Sequence, residues 1–227
     1  MFVTRAVRVR NLRKQYRRFC LGPVDLDIAP GEVVAVTGEN GSGKSTLLLC
    51  VAGLLRPDRG TVDISGLGWP GESGPAKERV GFVSDGLRLH PRESLGWHAD
   101  LAVALGSSRW DAARFRWLSK RWGLVLEERA GALSRGQTLR ALLAFALARR
   151  PDVLILDEAT AALDRSMRSS VHEFLRDSAR EDGLAVLFAS HLPEDSIEMA
   201  SRVVHLEGGS VRPTDGCRAR AQAADVR

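Results

Sequence analysis

Gly38, Gly43, Lys44 and Ser45 stand at the spacing G-x-x-x-x-G-K-[ST] within Gly38-Glu39-Asn40-Gly41-Ser42-Gly43-Lys44-Ser45-Thr46. That pattern suits the holding of a phosphate chain. Glycines let successive backbone N–H groups converge on one anion with no Cβ in the way. Lys44 brings positive charge to the outer phosphates, and the Ser45 hydroxyl is a hard oxygen ligand for Mg2+. All nine residues, Gly38 to Thr46, are candidate nucleotide contacts. Far along the chain, Val153-Leu154-Ile155-Leu156 ends in Asp157-Glu158. Four apolar residues before two acids read as a buried strand presenting carboxylates at its C-terminal edge. Asp157 is the candidate to hold the metal, directly or through water, and Glu158 to polarise an attacking water. Between these lies Leu133-Ser134-Arg135-Gly136-Gln137, where Ser134 is a good N-cap for the helix that follows. A lone His191 follows Val186-Leu187-Phe188-Ala189-Ser190.

These groups meet only if the right elements carry them. Val33–Val36 reads as the strand before the glycine loop, and Leu47–Ala52 as a helix whose positive end faces the anion. Val7–Leu12, Val24–Ile28, Thr61–Ile64, Val80–Val83, Ala185–Ala189 and Val203–Leu206 read as further strands. Val24–Ile28 alternates apolar and acidic residues, as an antiparallel strand with one wet face does. Ser65–Pro75 reads as a Gly/Pro-rich loop. Ser134–Arg150, stopped by Pro151, and Ser166–Arg180 read as helices. Near-continuous apolar strands alternating with helices predict a parallel sheet covered on both faces. From Gly86 to Leu133 strand patterns vanish, which predicts a helical lobe inserted in the core.

The chain has 227 residues, a net charge of +5 and three cysteines. No apolar run reaches the roughly 18–20 residues that cross a bilayer, so a soluble, cytoplasmic chain is expected. Cys20, Cys50 and Cys217 are scattered and read as free thiols. The arginine excess suits nucleic acid or an anionic membrane surface, or reflects a high-arginine proteome and a nucleotide site. The segment from 213 to 227 reads as a frayed polar tail.

The set resembles the ATP-binding subunits of ATP-binding cassette (ABC) transporters over roughly residues 5–212. Their signature L-S-G-G-Q stands here as L-S-R-G-Q. Phosphate loop, helical lobe, signature, carboxylate strand, Ala161-Ala162-Leu163-Asp164 and histidine follow in the family's order. The resemblance implies an α/β, RecA-like P-loop NTPase core in residues 1–212. That core would have a mostly parallel sheet, an N-terminal antiparallel β subdomain and an α-helical subdomain at about 86–133. It also implies an ATPase using ATP and Mg2+, peripheral on the inner face of the membrane. Partners would be a permease, docked through the helical subdomain, and a second ATPase subunit, head to tail.

Lys44, Glu158 and His191 would then be catalytic, with His191 on the γ-phosphate. Ser134, Gly136 and Gln137 would meet the partner's nucleotide. Tyr16, the single tyrosine, would lie under adenine, and Ser45 and Asp157 would hold the metal. Two positions depart from the pattern. Arg135 replaces a glycine. Asp85 replaces a glutamine that links metal and lobe; it is an expected metal ligand of shorter reach. His90, His98, His172 and His205 read as structural.

In the lobe, Phe115, Leu118 and Trp122 form a core stripe, and Trp110, Arg114, Trp117 and Arg121 a second face suited to a partner. The stretch after the last core strand reads as too short for an added regulatory domain, so an exporter-type or small-substrate system is expected. Two other readings stay open: an ABC ATPase acting on nucleic acid or ribosomes, although nucleic acid is not the expected partner, and a low-turnover regulatory subunit.

Overall fold

The computed structural model describes residues 5–106, 108–190 and 193–212. Two sheets build the molecule. β1 (Val7–Gln15), β2 (Cys20–Ile28) and β4 (Arg59–Ile64) form an antiparallel sheet of order β2-β1-β4. The main sheet has order β5-β6-β7-β3-β8-β9, from β3 (Val33–Thr37), β5 (Val80–Ser84), β6 (Val153–Asp157), β7 (Ala185–Ala189), β8 (Arg202–Glu207) and β9 (Ser210–Arg212). All its pairings are parallel except β8 with β9.

The period of two in these strands explains how the sheet fills space. Val34, Val36, Val153, Ile155, Ala185, Leu187 and Ala189 face one core, shared with the antiparallel sheet and with α1 (Lys44–Val51). Their neighbours Val33, Ala35, Leu154, Leu156, Val186 and Phe188 face a second core. That second core is closed by α5 (Arg135–Ala148) and α6 (Arg165–Asp182). With both faces covered, the strands carry no polar alternation.

The described residues of 86–133 carry α3 (Leu95–Ala104), α4 (Ala112–Arg121) and a 3-10 turn at Ala130–Ala132, and no strand of either sheet. Phe115, Leu118 and Trp122 are buried, as the stripe predicts. The second face needs correction, because α4 begins only at Ala112, with Asp111 as N-cap. Trp110 lies outside the helix and packs on Phe115 and Phe145. Arg114 pairs with Asp182, and Arg121 covers the rings of Trp117 and Phe174 at 5.6 Å each. That face therefore braces α4 against α6. Two short helices were not legible in advance: α2 (Gly74–Glu78), capped by Ser73, at the end of the expected loop, and α7 (Pro193–Met199).

Candidate functional site

The order of the main sheet sets the site. β7 lies between β3 and β6, so the loop after β3 and the acids ending β6 meet at one edge of parallel strands. Their contact is a hydrogen bond from Ser45 Oγ to Asp157 Oδ1 at 3.0 Å, across 112 residues of chain.

The glycine loop is close-fitted. Gly38, with φ of 141°, has no space for a side chain, because a Cβ there would stand 2.1 Å from the Leu206 carbonyl oxygen. At Gly43 (φ 105°) a Cβ would meet Phe19 Cζ at 2.8 Å. Lys44 is buried and donates to the Gly38 and Glu39 carbonyls at 2.9 Å each, which holds the ammonium inside the loop. Ser42 Oγ is buried with no hydrogen-bond partner among the described residues. The fixed cation, the unpaired hydroxyl and the start of α1 fit a phosphate chain.

At the end of β6, burial pushes the Asp157 carboxyl above its usual range; the Ser45 hydrogen bond opposes this, neighbouring Glu158 adds to it and Lys44 opposes it. A half-buried carboxylate beside a hydroxyl suits a divalent cation. Among the described residues no cluster of three His, Cys, Asp or Glu forms a metal cage, so two protein oxygens would share Mg2+ with phosphate and water. Glu158 has φ of 53°, the left-handed region that glutamate seldom adopts, and its N–H donates to Ala189 O at 2.9 Å.

Asp85, the third expected metal ligand, stands beside the end of β6, but its carboxylate is committed to Arg135 rather than to Ser45 and Asp157. Its backbone N–H reaches Asp157 O at 3.4 Å, but Arg135 takes both carboxylate oxygens, with Nε on Oδ1 at 3.1 Å and Nη2 on Oδ2. Arg135 also holds the Asp85 carboxyl below the usual range, mainly through that hydrogen bond.

Ser134 caps α5 as its sequence suggests: Ser134 Oγ accepts from Gln137 N–H at 3.2 Å, and Gln137 Oε1 accepts from Ser134 N–H at 2.8 Å. Asp164 caps α6. Tyr16 is exposed at the β1–β2 turn, with its ring centroid 6.3 Å from that of Phe19. Phe19, which sequence reasoning missed, touches the loop at Gly43; its place on the same hairpin as Tyr16 was the available clue. His191 lies outside the described residues, as does the tail.

A second feature was not read from sequence. Asp195 is fully buried, and its Oδ2 accepts from Thr160 Oγ1 at 2.7 Å and Ser190 Oγ at 2.5 Å. Its Oδ1 faces His172 Nε2 at 3.6 Å and Arg168 Nη1 at 3.9 Å. This knot ties the segment after Glu158 to the end of β7. His172 is buried between Asp195 and Glu198. Cys50 is a buried free thiol, pushed up to about 11 by burial.

Known proteins share this arrangement. The ABC transporter family model matches residues 21–161. The sulfate/thiosulfate import ATP-binding protein CysA of Rhodopseudomonas palustris is 35% identical over 90% of this chain and 61% of its own. The ABC transporter ATP-binding protein NatA of Bacillus subtilis is 33% identical over 83% of this chain and 78% of its own. The chain thus spans about three fifths of the length of such CysA relatives. A dimeric ATP-binding cassette, solved in a post-hydrolysis state with ADP and Pi, superposes with a TM-score of 0.81 at 26% identity, over 91% of this chain and 97% of that one. The six-stranded core with its phosphate loop, carboxylate strand and capped signature helix belongs, with the chain that folds into it, to the ABC transporter family.

Proposed function

We propose that the chain hydrolyses ATP and thereby powers a membrane transporter, together with a second ATPase subunit and a separate permease. The observation that carries this reading is the 3.0 Å contact between Ser45 and Asp157, which joins the phosphate loop to the acidic strand end. Phosphate oxygens would lie among the N–H groups of residues 38–46, with Lys44 against the outermost charge. Mg2+ held by Ser45 and Asp157 would neutralise charge on the phosphate oxygens. Glu158 accepts a proton from the water whose oxygen attacks the terminal phosphorus as the bond to the ADP oxygen breaks. His191 is assigned to the γ-phosphate and that water, and Tyr16 to the face of adenine.

Pairing is proposed head to tail, so that Ser134, Gly136 and Gln137 meet the other subunit's nucleotide. The Ser134 oxygen accepts within its cap and keeps its own O–H to donate. The dimeric state of the structural neighbour supports pairing. The permease is proposed to dock on the helical lobe, where Trp97, Leu101 and Val103 of α3 and its C-cap Leu105 are exposed and Leu87, Leu89 and Leu142 line a groove. No helix among the described residues is long and apolar enough to cross a membrane; attachment to the inner membrane face would come through the permease. Glu158→Gln tests the reading. It should keep ATP affinity and stop turnover, leaving an ATP-bound pair. Normal hydrolysis by that variant would remove Glu158 from its role and the mechanism with it.

A further inference from the structure

Arg135 and Asp85 are the two departures from the family pattern, and they lie 50 residues apart in sequence. In the fold they hold each other. Arg135 is the first residue of α5, where a cation opposes the positive helix end. Its side chain is 68% exposed and that of Asp85 35%. Both Arg135 contacts go to one carboxylate, in a two-toothed arrangement. Asp85 also faces a second cation, Arg88, whose Nη1 donates to the Asp85 carbonyl at 2.5 Å. Arg135 meets no second anion in any ion pair among the described residues. It is thus the more replaceable member of the pair, set beside Ser134 and Gly136 on the α5 start.

We propose that Arg135 binds the terminal phosphate of ATP held by a second copy of this chain, and that Asp85 holds the guanidinium until that phosphate arrives. This rests on the head-to-tail pairing above. An exposed ion pair is worth a factor of about five or less. Charge-assisted hydrogen bonds to phosphate are worth about tenfold to a hundredfold. A triphosphate also carries several negative charges against one on Asp85, so the exchange runs toward the nucleotide. It frees Asp85 where its backbone already touches the end of the Asp157 strand. One side chain thereby reports the partner's ATP to the protomer's own site.

The two members of the pair then act in opposite senses, which a mere brace does not allow. In the Glu158→Gln background, the dimer dissociation constant is measured by analytical ultracentrifugation with Mg2+ and either ATP or ADP. Arg135→Gly should weaken the ATP dimer about tenfold or more, and Arg135→Gln, which keeps a long side chain, should do the same. Asp85→Asn removes the competitor and should tighten it by up to about fivefold. The double variant Asp85→Asn/Arg135→Gly should match Arg135→Gly, and ADP complexes should be indifferent to all of them. Shifts of the same sign for Arg135→Gly and Asp85→Asn, or no shift with Arg135→Gly, would overturn the exchange while leaving the paired cassette intact. Absence of any ATP-driven dimer in the background variant, with ATP still bound, would overturn the pairing and the exchange together.

Discussion

Replacing Asp195 by alanine removes the one carboxylate that Thr160, Ser190, His172 and Arg168 share. Two hydroxyls lose their acceptor at 2.7 and 2.5 Å, and the groups at 3.6 and 3.9 Å lose the anion they face. Because Asp195 is fully buried, water does not fill the role. Breaking such a buried ionic cluster costs about 3–5 kcal/mol. With a urea dependence of about 2–3 kcal/mol per molar, the unfolding midpoint should fall by about 1–2.5 M. Asp195→Asn keeps an amide oxygen for both hydroxyls and should cost less than half as much. The knot lies just past Glu158, so Asp195→Ala should lower kcat for ATP hydrolysis about tenfold or more. ATP affinity, set by the phosphate loop, should hold within about twofold. The assay is urea denaturation followed by fluorescence, with turnover measured on the same preparation. A midpoint change below about 0.3 M, as for an ordinary surface substitution, would refute the claim that the carboxylate holds these segments together.

Three further outcomes follow from the same geometry. Tyr16→Ala should weaken ATP about fivefold to tenfold through lost ring contact, read by titration with a fluorescent nucleotide; an unchanged affinity would leave Phe19 as the better base platform. Phe19→Ala, which opens space beside Gly43, should weaken ADP and ATP alike; a loss confined to ATP would argue against a contact with the loop. Asp111 accepts from Arg114 N–H and from Arg150, which together hold its carboxyl below the usual range. Its stabilisation is present above the unfolded-state value near pH 4 and is lost as pH falls through the lower folded-state value. Asp111→Ala should therefore cost about 1 kcal/mol at pH 7, and acid titration should narrow that gap below about pH 4.

How much was legible differs from element to element. The limits of β7 could be read to the residue because five apolar residues in a row have one stable use, a strand buried on both faces. α7 could not, because a short polar segment after a buried strand carries too little apolar pattern to set its period. The spacing of Trp110 to Arg114 and Trp117 is helical and predicts one helix face, yet Asp111 as N-cap starts the helix after Trp110.

The sequence by itself determined the chemistry of the phosphate loop, the acids at 157 and 158, and the helix cap at Ser134. Each depends on neighbours in the chain: a glycine spacing, an apolar run, a serine three residues before a glutamine. Tertiary structure alone decided which distant groups became partners. Asp85 and Arg135 were joined across 50 residues, and Asp195 gathered Thr160, Ser190, His172 and Arg168 into one buried knot. Coulomb attraction and burial depend on separation in space, and strand order, which no local pattern encodes, sets that separation.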